Sequence, residues 1–131
     1  MYNKIILEHF KNPRNQGELK DPDGLGEVGN PVCGDMMKMY VKIDRDHGGE
    51  ERVGDIKFQT YGCGAAIATS SVMTELAKGQ LVRDALKITK DDILAKLGGK
   101  DTIPVSKFHC SVLATEAFAK AIDDYHSKNK K

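Results

Sequence analysis

The chain has 131 residues, of which 40% are hydrophobic and 30% are charged, and its formal net charge is +1. This size and composition predict one globular domain over residues 1–131, with a core that needs no disulfide bonds. The near-neutral charge argues against a nucleic-acid partner, and no apolar run reaches the roughly 18 residues that span a bilayer. The first residues lack a signal-peptide pattern, and three cysteines form no disulfide framework. We therefore expect a reducing, cytoplasmic location.

Residues 2–11 carry the apolar pattern of a short amphipathic helix, which Asn12-Pro13 is expected to end. A stretch dense in glycine and proline follows. We expect residues 14–35 to form a long, flexible loop with one short strand near Glu27-Val28.

Residues 37–44 alternate between apolar and polar side chains, which is the period of a half-buried strand. Asp46-His47-Gly48-Gly49 supplies turn residues. A second alternating run over residues 56–61 predicts the other strand of an antiparallel hairpin. The side chains expected on the inner face are Met37, Met39, Val41, Ile43, Ile56, Phe58 and Thr60.

Helical patterns follow the hairpin. We predict a helix from Ala65 to Lys78 and two shorter helices near residues 81–86 and 90–97. Thr89 and Asp92 have the spacing of a capping box. A last helix is expected from Ser111 to Ser127, and its predicted buried stripe is Ala114, Ala117, Phe118, Ala121, Ile122 and Tyr125. The predicted fold class is α+β, a small antiparallel sheet covered on one face by several helices.

The three cysteines lie far apart, and each has a neighbour suited to a metal site. Cys33 stands in Pro31-Val32-Cys33-Gly34-Asp35, Cys63 stands between two glycines, and Cys110 follows His109. Thiolates bind zinc, Cu(I) and iron–sulfur clusters, and imidazole or carboxylate can complete such a site. We infer that folding brings five ligands around one metal or cluster: Cys33, Asp35, Cys63, His109 and Cys110.

Two features of this set indicate what the site is for. Cys63 precedes a predicted helix and Cys110 begins another, and a helix N-terminus stabilises a thiolate. Five candidates for four coordination positions would permit ligands to exchange. This pattern suits a site that is loaded and emptied.

Simpler interpretations remain open for each residue alone. A single cysteine is most often a buried small hydrophobe. Asp35 could cap a turn, and His109 could be a hydrogen-bonded core histidine. We expect the other histidines, His9, His47 and His126, to be solvated.

Four segments resemble the iron–sulfur cluster assembly scaffolds of the IscU type, which also occur as the N-terminal domain of NifU. They occur in the family's order and at similar separations over nearly the whole chain. The segments are Asn12-Pro13-Arg14-Asn15, Pro31-Val32-Cys33-Gly34-Asp35, Lys57 to Ala68 (Lys-Phe-Gln-Thr-Tyr-Gly-Cys-Gly-Ala-Ala-Ile-Ala), and Lys107-Phe108-His109-Cys110-Ser111-Val112-Leu113-Ala114.

The resemblance implies a carrier rather than an enzyme. Such scaffolds accept persulfide sulfur from a PLP-dependent cysteine desulfurase of the IscS or NifS type and combine it with iron. They hold a transient [2Fe–2S] cluster and pass it to apo-proteins such as ferredoxins, and zinc can occupy the site before a cluster does. By the resemblance, the three cysteines and His109 are ligands, Cys110 accepts the persulfide, and Asp35 tunes metal entry and cluster release.

The resemblance also bears on a chaperone partner. Bacterial members carry Leu-Pro-Pro-Val-Lys as a recognition site for an Hsp70-type chaperone. The aligned stretch Ile103-Pro104-Val105-Ser106-Lys107 has one proline, which weakens that prediction. A homodimer is a further candidate assembly, with the cluster held within one protomer or shared between two. A zinc-held persulfide relay and a purely structural zinc protein are the alternative functions.

Overall fold

The computed structural model describes residues 4–30, 35–45, 48–61, 64–98 and 109–128. The predicted loop at Asp46-His47, and the stretches that contain Cys33, Cys63 and residues 99–108, lie outside the described residues. The described elements are α1 (Lys4–Lys11), β1 (Gly24–Asn30), β2 (Asp35–Arg45), β3 (Glu51–Tyr61), α2 (Gly64–Ala77), α3 (Val82–Ala85), α4 (Lys90–Lys96) and α5 (His109–Lys128).

The three strands form one antiparallel sheet in the order β1-β2-β3. Gly26 pairs with Met39, and Met39 pairs with Phe58, so these residues lie on the same face. That face is buried under helices: α5 packs on β1 and β2, and α2 packs on β3. The predicted α+β class and the predicted inner face of β2 are confirmed, because Met37, Met39 and Val41 are fully buried.

Strand β1 is longer than the short strand predicted near Glu27-Val28. It has seven residues and pairs with β2 along its whole length, from Gly24 opposite Val41 to Asn30 opposite Asp35. Glycine in a strand interior normally weakens the strand. Here the residues at 24 and 26 lie against α5, where a side chain would not fit.

The helices agree closely with the predicted boundaries. Thr89 and Asp92 form the predicted capping box, in which the Thr89 hydroxyl accepts from the Asp92 N–H and the Asp92 carboxylate accepts from the Thr89 N–H. The whole predicted stripe of α5 is buried. Helix α5 begins two residues earlier than predicted, so His109 and Cys110 belong to its first turn. No helix in the described residues is both long and apolar enough to cross a membrane.

Helix α1 is attached to α2 by a polar cluster that we call the N-terminal clasp: His9, Arg14, Asn15, Ser71 and Thr74. The Ser71 hydroxyl accepts from the Arg14 N–H at 2.9 Å and lies 2.7 Å from His9 Nδ1. The Asn15 amide donates to the Thr74 hydroxyl at 3.1 Å. The clasp thus holds the start of the segment 14–35, which was predicted to be flexible.

The expectation that His9 is solvated is wrong. His9 is 7% exposed, because its partner Ser71 lies on α2, 62 residues away in sequence. Among the described residues, His126 is exposed as expected, with its Nε2 3.3 Å from Glu51 Oε1.

Burial is the main cause that lowers the pKa of His9, and the charge of Arg14 lowers it further against the opposite effects of Glu75 and Glu8. His9 Nδ1 faces the Ser71 hydroxyl at 2.7 Å, and His9 Nε2 lies 3.5 Å from a Glu75 oxygen. The surroundings of His9 in the clasp therefore favour its neutral form.

We expect acid to destabilise the protein through His9. Its folded-state pKa lies below the ordinary value of 6.5. The unfolded chain therefore takes up this proton first, and the contribution of His9 is present above about pH 6.5 and is lost as the pH falls below it. Urea unfolding at pH 8 and pH 5.5 measures the effect. The midpoint should fall more in the wild type than in His9→Gln, and equal falls would contradict this assignment.

Candidate metal-binding site

The structure gives a place in the fold to three of the five predicted ligands. Asp35 is the first residue of β2, and His109 and Cys110 are the first two residues of α5. Cys33 and Cys63 lie outside the described residues. The elements that flank them are described: β1 ends at Asn30, β3 ends at Tyr61, and α2 begins at Gly64.

The register of the sheet brings three of these element ends together. Asn30 pairs with Asp35, and Met36 pairs with Tyr61. The end of β1, the start of β2 and the end of β3 therefore lie side by side at one end of the sheet, which we call the ligand end.

Helix α5 also begins at the ligand end. Gly24 lies against Ala121 and Gly26 against Ala117, so β1 and α5 run in opposite directions. From Gly26 to Asn30 the strand advances about 13 Å. From Ala117 back to His109 the helix covers about 12 Å. The first turn of α5 is therefore level with the Asn30–Asp35 pair.

Two helices have their N-termini at the ligand end. Helix α2 begins three positions after the last residue of β3, and helix α5 begins level with Asn30, the last residue of β1. The first N–H groups of a helix have no partner within it, and the helix dipole is positive there. Both features stabilise anionic ligands such as thiolates. The sequence predicted this arrangement for each cysteine separately, whereas the shared level of the two helices comes from the packing of α5 on β1.

Two hydrogen bonds that the sequence analysis did not predict brace the ligand end. The Thr60 hydroxyl donates to the Met36 carbonyl oxygen at 2.6 Å, which joins the end of β3 to the second residue of β2. The Ser70 hydroxyl contacts the Met37 sulfur at 3.1 Å, which joins α2 to the same strand. Thr60 stands three residues before Cys63 in the sequence. Its nearness to a predicted ligand is the signal that could have indicated its bracing role at the ligand end.

Other parts of the described structure offer weaker candidates. A cavity of about 470 Å³ lies between α2, α3 and α4, with Leu76, Ile88 and Ala95 among its lining residues. Its lining residue Asp92 is engaged in the capping box of α4. Within the described residues, no group of three or more His, Cys, Asp or Glu side chains is arranged to hold a metal ion.

The whole chain, residues 1–131, matches the family described as the NifU-like N terminal domain. It is 53% identical to the iron–sulfur cluster assembly scaffold protein IscU 1 of Archaeoglobus fulgidus, over all of this chain and 80% of that protein. It is 44% identical to IscU of Aquifex aeolicus, over 97% of this chain and 77% of that protein.

The fold agrees with that of a solved structure. The crystal structure of the N-terminal part of a nitrogen-fixing NifU-like protein from Brucella abortus superposes with a TM-score of 0.67 at 24% identity, over 96% of this chain and 94% of that one. The match over the whole length and the identity to IscU proteins establish that this chain belongs to the NifU-like N-terminal domain family.

Proposed function

We propose that the protein is a scaffold for iron–sulfur cluster assembly. It accepts persulfide sulfur from a PLP-dependent cysteine desulfurase, combines it with iron, holds a labile [2Fe–2S] cluster and transfers the cluster to apo-proteins. The observation that carries this proposal is the ligand end. Asp35 and the His109-Cys110 pair stand at one end of the sheet, with the element ends that flank Cys33 and Cys63. The names of the IscU relatives support the same function.

Chain length allows the two remaining cysteines to join the set. Cys33 follows Asn30 by three residues, and three residues of extended chain reach about 11 Å. Cys63 is the residue before Gly64, the start of α2. All three thiolates can therefore serve the same centre.

The donor set suits a cluster that forms and leaves. A [2Fe–2S] cluster takes four protein ligands, and a histidine can replace a cysteine. Three thiolates and His109 fill those four positions, and Asp35 is the fifth donor. A carboxylate is a harder ligand than a thiolate and prefers harder ions. Exchange between Asp35 and a softer ligand allows iron to bind first and allows the finished cluster to be released.

Sulfur enters by transfer between two cysteines. The Cys110 thiolate attacks the terminal sulfur of the desulfurase persulfide, the S–S bond of that persulfide breaks, and the desulfurase cysteine leaves as a thiolate. Cys110 then carries the persulfide. Reduction of this sulfur to sulfide takes two electrons, which two thiols supply as they form a disulfide, or which two reduced ferredoxins supply at one electron each. The N–H groups at the start of α5 stabilise the anionic forms of Cys110 in this step.

We expect Asp35→Ala to slow cluster release. After anaerobic reconstitution with iron, cysteine and a desulfurase, transfer of the chromophoric cluster to an apo-ferredoxin should be about tenfold slower than in the wild type, which corresponds to about 1.4 kcal/mol. Asp44→Ala is the matched control, because Asp44 is an exposed residue at the opposite end of β2. Its transfer rate should equal that of the wild type.

Two other results would redirect the assignment. If neither the wild type nor Asp35→Ala retains iron and sulfide, but the desulfurase still transfers sulfur to Cys110, the protein is a zinc-held persulfide relay. If zinc is held tightly and no sulfur is accepted, the protein is a structural zinc protein.

Cys110 is expected to be the persulfide acceptor. Mass spectrometry of the protein after incubation with desulfurase and cysteine should find one added sulfur atom on the peptide that contains Cys110. Cys33→Ser should keep this modification and Cys110→Ser should lose it. The opposite pattern would assign sulfur acceptance to Cys33.

A further inference from the structure

Two glycines of β1 bring the backbone of the sheet close to helix α5. A Cβ atom on Gly26 would lie 2.0 Å from the Ala117 carbonyl oxygen and 2.5 Å from the Ala121 nitrogen. A Cβ atom on Gly24 would lie 2.1 Å from the Ala121 carbonyl oxygen. Real Cβ atoms essentially never come within 3.0 Å of such atoms. The backbones of β1 and α5 therefore touch directly.

This contact lies between the ligand end and a fixed region of α5. Near its C-terminal end, the Asp124 carboxylate accepts from the Leu25 N–H at 2.9 Å. The Tyr125 hydroxyl donates to Glu51 at 2.5 Å. This hydrogen bond is the largest cause that lowers the pKa of Glu51, so the acceptor is a carboxylate at neutral pH. The C-terminal half of α5 is thus held to β1 and β3.

A group added at Gly26 would act on α5 between Ala117 and Ala121, and its shortest contact, to Ala117, is eight residues from His109. Because the C-terminal half of the helix is held, the first turns are the part that must move away from β1. Relief of a 2.0 Å contact to an ordinary distance takes more than 1 Å. Metal–sulfur bonds of about 2.3 Å tolerate about 0.2 Å. A displacement of this size removes Cys110 from a shared metal.

We propose that Gly26, assisted by Gly24, is a positioning residue for the ligand end. By letting α5 rest on the backbone of β1, it sets the distance from the His109-Cys110 turn to the paired residues Asn30 and Asp35. This inference rests on the proposed function, since it takes the five predicted ligands as one site.

Cobalt(II) is the probe that tests it, because the sulfur-to-cobalt charge-transfer band grows with the number of bound thiolates. The wild-type protein should have the band of three thiolates, and Cys110→Ser should have the band of two. Gly26→Ala should have about two-thirds of the wild-type intensity, as Cys110→Ser does. It should also bind cobalt at least tenfold more weakly, which is the lower range for loss of a residue that orients metal ligands.

Ile122→Ala is the matched control for stability. Ile122 is buried on α5, and its truncation leaves a cavity without pushing the helix from β1. Its urea midpoint should fall while its cobalt band stays at the three-thiolate intensity. A folded Gly26→Ala with the full band would overturn the proposal, and so would an equal loss of band in Ile122→Ala.

Two further results are informative. If Gly26→Ala does not fold, Gly24→Ala takes its place, since it pushes on α5 one turn further from His109. It should lose part of the band, and a full band in the folded variant would overturn the proposal. A wild-type protein without the three-thiolate band would instead reject the ligand set of the proposed function.

Discussion

The direct contact between the backbones of β1 and α5 is the constraint on which the arrangement of this molecule depends. Two glycines on the strand meet two alanines on the helix, so few side-chain atoms separate the two elements. Such a contact buries little apolar area, and the larger core residues supply the rest. The side chains of Phe58, Phe118, Met37, Met39 and Ile122 are almost completely buried in the same core.

Helix α2 also depends on small residues for close packing, but its small residues are polar. It is enclosed by α1, α5 and the sheet, and its buried positions include two threonines and two serines at 69, 70, 71 and 74. Small polar side chains let three neighbours approach, but each buried hydroxyl needs a partner. Among the described residues, no buried side-chain nitrogen or oxygen lacks a hydrogen bond. The Asn12-Pro13-Arg14-Asn15 segment supplies several of those partners, and this gives it a structural role.

Much of the secondary structure could be predicted from local patterns. The stripe of α5, the alternation of β2 and the capping box at Thr89 each depend on residues within a few positions of one another, and all three are found. The full length of β1 and the burial of His9 could not be predicted. Glycines 24 and 26 predict a loop from local sequence, and their place in a strand depends on contact with α5, about ninety residues later. His9 likewise predicts a polar surface residue, and its burial depends on its contact with Ser71.

The predicted ligands divide in the same way. Gly-flanked cysteines and the adjacent His109-Cys110 pair are local signals, so the sequence alone is enough to propose them as ligands. That Asp35 and the first turn of α5 share one end of the sheet depends on strand register and on helix packing between distant segments. The braces at Thr60 and Ser70 belong to this second kind, because each hydroxyl finds its partner on an element far away in sequence.

Strand β3 is an edge strand, and its outer side is occupied at both ends. The backbone N–H of Phe58 donates to the Asn15 carbonyl oxygen, and the Phe58 carbonyl oxygen accepts from the Gly17 N–H. In the same way, the Val53 N–H donates to the Gln80 carbonyl oxygen, and the Val53 carbonyl oxygen accepts from the Gly79 N–H. An edge with open N–H and C=O groups is a template for pairing with another chain. The segment that follows α1 therefore shields one end of this edge against pairing with another chain. Loss of the N-terminal clasp would release the segment that contains Asn15 and Gly17 and would expose the backbone of β3 at Phe58. A local opening of the chain would then favour aggregation through this edge.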